Sequence, residues 1–91
     1  MAVIYPFVEL ADKTEIVHSE MKPDGRVMVC IEKPIEGGFK SAVCWLPKYE
    51  WEDIDGYSEA EIEELQHKIE NWAHLIMQFS QEGGFAGASS F

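Results

Sequence analysis

The sequence predicts an α+β fold: an antiparallel β-meander of three to four strands, packed on one face by a single long C-terminal helix. Three observations predict it. Ile62, Leu65, Ile69, Trp72, Ile76 and Phe79 recur at alternating spacings of three and four, which lines six large apolar side chains along one stripe of a helix. Upstream of them, runs rich in Val and Ile are separated by Pro23-Asp24-Gly25 and Glu36-Gly37-Gly38, both strong turn chemistry. The length of 91 residues allows one domain with one modest core, in which a sheet face needs one covering layer.

Val3 to Leu10 reads as a first strand, with Pro6 confined to a sheet edge because it cannot donate to a ladder. Thr14 to Met21 follows a polar break at Ala11-Asp12-Lys13. Arg26 to Lys33 and Phe39 to Leu46 are the next strands, and Pro47 ends the last of them. Lys48 to Tyr57 reads as an acidic loop or short strand. The helix start is written out: Ser58 caps the orphan amides, Glu61 reaches back as in a capping box, and Tyr57 and Ile62 stand at hydrophobic-staple positions. Gly83-Gly84 supplies the left-handed stop. Residues 1–82 form the expected domain, and 83–91 a flexible tail of small residues.

Three-residue loops at the two turns would pair Met21 with Val27, Val17 with Ile31, Ile31 with Val43 and Val29 with Trp45. Val17, Met21, Val27, Val29, Ile31, Phe39, Val43 and Trp45 would then share the face under the helix. His18, Glu20, Met28, Cys30, Ala42 and Cys44 would share the other. A different loop length at Gly37-Gly38 flips the last of these strands, because side chains alternate with period two.

The formal charge of −10 argues against direct contact with nucleic acid or an anionic membrane, both of which need a basic footprint, and suits a basic protein partner. No signal peptide or membrane span is visible, so the expected location is cytoplasmic, with Cys30 and Cys44 as reduced thiols and not a disulfide. The two cysteines read as small apolar residues, not as a redox pair. No metal is expected. Glu64/His67 and Glu70/His74 have helical spacing, but bridged metal sites need carboxylates from other helices. Asp53-Ile54-Asp55-Gly56 has the middle of a calcium loop, yet Trp51 and Ile62 stand where its ligands belong. No nucleophile arrangement or phosphate-binding loop stands out, so neither catalysis nor a cofactor is expected.

Eight acidic residues and no Lys or Arg lie between Glu50 and Glu64. The candidate partner-binding surface is Tyr49, Glu50, Trp51, Glu52, Asp53, Asp55 and Tyr57; the alternative is an ordinary solvated loop and helix start. The candidate self-association surface is Trp72, Leu75, Ile76, Met77 and Phe79, apolar on several helix faces at once. It would need the N-terminal strand around Tyr5 and Phe7, the tail, or a second copy to cover it, and a homodimer is the favoured solution.

Ile31-Glu32-Lys33, Glu36-Gly37-Gly38-Phe39, Leu46-Pro47 and Asp55-Gly56-Tyr57-Ser58, followed by an acidic helix carrying Trp72, resemble the HicB family of antitoxins over roughly Val27–Trp72. The resemblance implies part of an RNase H-like fold, and a protein that binds and blocks a small basic toxin that cleaves RNA. The chain departs from the family in a further strand before Val27 and in having no recognisable DNA-binding segment after the helix. No partner-contacting residue carries over. The expected function is a non-catalytic acidic protein-binding module, antitoxin-like, with a basic protein partner. The alternatives are a homo-oligomeric structural or regulatory protein and, third, a small enzyme or metal-binding protein.

Overall fold

The computed structural model describes residues 3–82; the expected tail at 83–91 lies outside them. Five strands run in chain order across one antiparallel sheet: β1 (Ile4–Glu9), β2 (Glu15–Ser19), β3 (Val27–Ile35), β4 (Gly38–Leu46) and β5 (Glu50–Asp55). One helix, α1 (Glu59–Glu82), covers one face. The fold is α+β as expected. The acidic segment is a fifth strand, one more than the upper count read from the sequence.

The helix begins as its sequence dictates. Ser58 Oγ accepts from the Glu61 N–H at 3.2 Å, and the Ser58 N–H donates to Glu61 Oε1 at 2.9 Å, a complete capping box. Glu61 Oε2 also lies 2.6 Å from Lys40 Nζ on β4, which ties the helix start to the sheet. Lys40's hydrogen bond, with that of the Ser58 backbone, draws the Glu61 carboxyl down to about 2. Leu65, Ile69 and Ile76 meet Ile16, Val27, Val29, Ile31, Cys44 and Leu46 in the core. Each such aliphatic side chain contributes about 1.5–3 kcal/mol on burial.

The registers differ from the expected ones, each by one residue. At the β2–β3 turn the expected three-residue loop is present: the Lys22 N–H donates to the Arg26 carbonyl at 2.9 Å, and Gly25 takes φ +84°. Below it the ladder slips. The Met21 N–H leaves the sheet for the Ser80 carbonyl of α1 (3.2 Å), and Ser19 Oγ accepts the Met28 N–H (3.0 Å). Ile16 then faces Ile31, and His18 faces Val29. Ile16 and His18, not Val17, fill β2's places under the helix, and both are fully buried, while Met21, beyond the end of β2, packs against the core as expected.

At the β3–β4 turn, Ile35 pairs with Gly38 across a two-residue loop, with Gly37 at φ +84°. The shorter loop puts Ala42, Cys44 and Leu46 in the core and turns Phe39, Val43 and Trp45 to the opposite face. Cys30 and Cys44 therefore stand on opposite faces. Cys30 pairs with Val43 on the open side, while Cys44 is fully buried, and desolvation pushes its thiol up to about 12.

The helix crosses the strands instead of lying along one. Near its start Gln66 accepts from Trp51 of β5 (2.9 Å); near its end Ser80 meets Met21, and Phe79 lies 6.2 Å from Phe7 of β1. Its length of about 36 Å thus spans the sheet from one edge to the other.

Candidate functional site

The alternation that buries Ile16, Val29, Ile31 and Cys44 sends their neighbours to the other side of the sheet. Among the described residues no element covers that outer face. Its composition follows from the pairing. One row across the sheet is Pro6, Val17, Cys30, Val43 and Glu52; the next is Glu9, Glu15, Glu32, Ser41 and Asp55. Met28, Trp45 and Glu50 form part of a third.

The second row is chemically unusual. Glu9 stands directly opposite Glu15, and Glu15 directly opposite Glu32, on three consecutive strands. Like charges in such positions destabilise a sheet. All three are exposed, and no ion pair to any of them is present among the described residues. The acidic strand β5 adds Glu50, Glu52 and Asp55 to the same face, and Asp53 at a bulge with φ +52°.

Beside these acids lies an apolar groove of about 280 Å³. Val17, Cys30 and Val43 form its floor, all half-buried, and Glu15, Glu32 and Asp53 stand at its rim. Burial and then the Glu32 charge raise the Cys30 thiol above its ordinary range, which keeps it protonated. At the neighbouring corner the Arg26 guanidinium sits 4.4 Å over the Trp45 ring while its Nε donates to Asp24 at 2.8 Å. The Trp45 indole N–H donates to Glu52.

The expected partner-binding residues divide between the two faces. Glu50, Glu52, Asp53 and Asp55 are exposed. Tyr49, Trp51 and Tyr57 are instead half-buried and packed against the core on the helix side. Trp51 is held by Gln66, and Tyr57 lies under Lys40 Nζ at 5.4 Å. The charged half of that set joins Glu9, Glu15 and Glu32, which sequence reading missed. The only signal for them was the pairing of β1 with β2 and of β2 with β3, which aligns residues far apart in the chain.

Of the residues expected to self-associate, Ile76 is fully buried in the chain's own core, and Met77 packs on it. Trp72 and Phe79 lie 5.8 and 6.2 Å from the Phe7 ring, so β1 covers them in part. Leu75 is half-buried.

A second, polar cleft of about 70 Å³ between the β1–β2 loop and α1 is lined by Asp12, Lys33, Tyr57, Glu61 and Lys68 among others. Hydrogen bonds from Thr14, and more weakly Lys33, draw the Asp12 carboxyl down to about 2. These charges pair with one another: Lys33 is 3.4 Å from Asp12. Among the described residues no group of three or more His, Cys, Asp or Glu converges as metal ligands would. No helix among them is long and apolar enough to cross a membrane. No family model, no curated protein and no solved structure matches the chain.

Proposed function

We propose that this chain is a non-catalytic acidic binding module that presents its outer sheet face to a basic protein partner. The observation that carries the reading is the row Glu9, Glu15, Glu32. Three like charges placed directly opposite one another cost the free protein stability, and a cationic surface laid across them would turn that cost into attraction. The apolar row beside them supplies area to bury, and β5 extends the negative field to the sheet edge. The same charge opposes face-to-face pairing of two copies. The resemblance of residues 27–72 to the HicB antitoxins adds one candidate class for the partner, a small basic RNA-cleaving protein.

The test is co-expression with the product of any adjacent small basic reading frame, followed by association kinetics on the purified complex. Neutralising Glu50, Glu52, Asp53 and Asp55 together slows association, as does added salt, because steering between opposite charges is screened. Neutralising Glu9, Glu15 and Glu32 slows it further. An association rate indifferent to salt and to both sets of substitutions refutes the reading.

A further inference from the structure

The groove on the outer face is narrower in its demands than the charged surface around it. Its floor, Val17, Cys30 and Val43, comes from three adjacent strands and is apolar. Its rim carries Glu15 and Glu32, directly opposite each other, and Asp53 on the far side. A ligand for it has an unbranched apolar stem and a cationic head that donates hydrogen bonds to two sides. That describes arginine, whose methylenes lie along apolar surface while its planar guanidinium offers five donors in a fork that matches carboxylates. On the same face the Arg26 guanidinium stacks over Trp45 and its Nε donates to Asp24, so the face already carries one guanidinium against an apolar side chain and a carboxylate.

We infer that this groove is a docking site for an arginine side chain projecting from the basic partner, its stem on Val17, Cys30 and Val43 and its guanidinium between Glu15, Glu32 and Asp53. The inference rests on the outer face being the partner surface and names the contact that anchors it. Lysine fits less well, because an ammonium is a point charge that cannot bridge two rims in one plane.

The experiment is titration of the isotope-labelled full chain with acetylated, amidated hexa-arginine, and separately with the hexalysine peptide of equal charge, followed by amide and methyl NMR shifts. The expected result is saturable shifts at Val17, Cys30, Ser41 and Val43, with the arginine peptide binding at least about threefold more tightly than the lysine peptide. Glu32→Lys, which places the chain's own cation at the rim, should weaken arginine binding by at least about tenfold. Its folding is checked by the unchanged shifts of core residues such as Ile69.

Equal affinity for the two peptides, or shifts along Glu9, Glu50 and Asp55 of the outer face that are absent from the groove, overturns the arginine site and leaves the outer-face reading standing; shifts confined to the acidic helix start overturn both. No binding of either peptide overturns both. Two further results also sink the site. One is concentration-dependent shifts at Val17 and Val43 without peptide, which means that a second copy occupies the groove. The other is shifts there on removing residues 83–91, which means that the chain's own end does.

Discussion

Replacing Glu15 by Gln should make the protein more stable, and by an amount that salt can erase. Glu15 is the middle of the row, with Glu9 opposite on one side and Glu32 on the other, so one substitution removes both repulsive pairs. Directly opposed Cβ atoms lie about 5 Å apart. Two unit charges at about that distance in water repel by ~0.8 kcal/mol, so the two pairs sum to ~1.7 kcal/mol before screening. With a Debye length of about 8 Å near physiological salt, ~0.9 kcal/mol survives; at about 1 M, with a length near 3 Å, ~0.3 kcal/mol survives. For a domain of this size that is a rise in Tm of about 4–7 °C at physiological salt and about 1–2 °C at high salt. Thermal melts by circular dichroism at several sodium chloride concentrations measure it. Glu36→Gln, in the exposed β3–β4 turn, removes the same charge away from the row and serves as control. A Glu15→Gln protein no more stable than the parent, a gain that persists at high salt, or an equal gain from Glu36→Gln refutes the argument.

Other outcomes follow from the same structure. Cys44→Ala should cost about 1–2 kcal/mol in urea unfolding and Cys30→Ala under about 0.5, because only Cys44 is wholly inside the core; a disulfide in protein purified without reductant would contradict the opposite-face placement. Gly56→Ala should cost about 1–2 kcal/mol, since Gly56 sits at φ +87° and an added Cβ would lie 3.0 Å from Lys40 Cγ; an unchanged Tm would show that the turn adapts. Glu61's carboxyl is drawn from its usual 4.5 to about 2, so its contribution is present above the unfolded value and lost as pH falls through the folded one. Glu61→Gln should therefore flatten the fall in Tm between those two pH values, and parallel curves for variant and parent would remove Lys40 and Ser58 as the cause. Light scattering at tens of micromolar should give a monomer, because the core covers Ile76 and β1 covers Trp72 and Phe79 in part. A dimer dissolved by Leu75→Glu would return self-association to the end of the helix.

Local chemistry was legible in the sequence to the extent that it is local. The capping box, the staple residues, the helical stripe and both glycine turns depend on successive residues within five positions of one another, and all lie where the spacing puts them. Register is not local. The β2–β3 loop has its expected length, yet the ladder beneath it slips because Met21 bonds to Ser80, 59 positions away in the numbering of the chain. That interaction exists only once the helix has docked. The β3–β4 turn closes over two residues, not three, and Glu-Gly-Gly suits either length. Each slip of one residue exchanges the faces of a strand, so Val43 and Trp45 were expected inside and Cys44 outside. The acidic outer row was invisible for the same reason. Glu9, Glu15 and Glu32 are scattered along the chain, and only the pairing aligns them. The charge of β5 was legible because it is contiguous. Which of its side chains faced the helix was not, and Trp51 and Tyr57, read as exposed, turned inward.

Among the described residues the open five-stranded meander ends in two edges that have no neighbouring strand, and such edges are templates for another chain. In this molecule both are interrupted. β1 carries Pro6, which has no amide hydrogen to offer, and an irregular register between Pro6 and Val8. β5 carries a bulge at Asp53 and a carboxylate at nearly every exposed position. The backbone devices act at any pH, but the carboxylates guard β5 only while they are charged. As the pH approaches the isoelectric point near 4.5, the net repulsion between copies vanishes, and β5 and the apolar row of the outer face are left without it. The acids that would welcome a basic partner are thus also what keeps one molecule from growing onto the next, and a bound partner would take over that protection by covering the face itself.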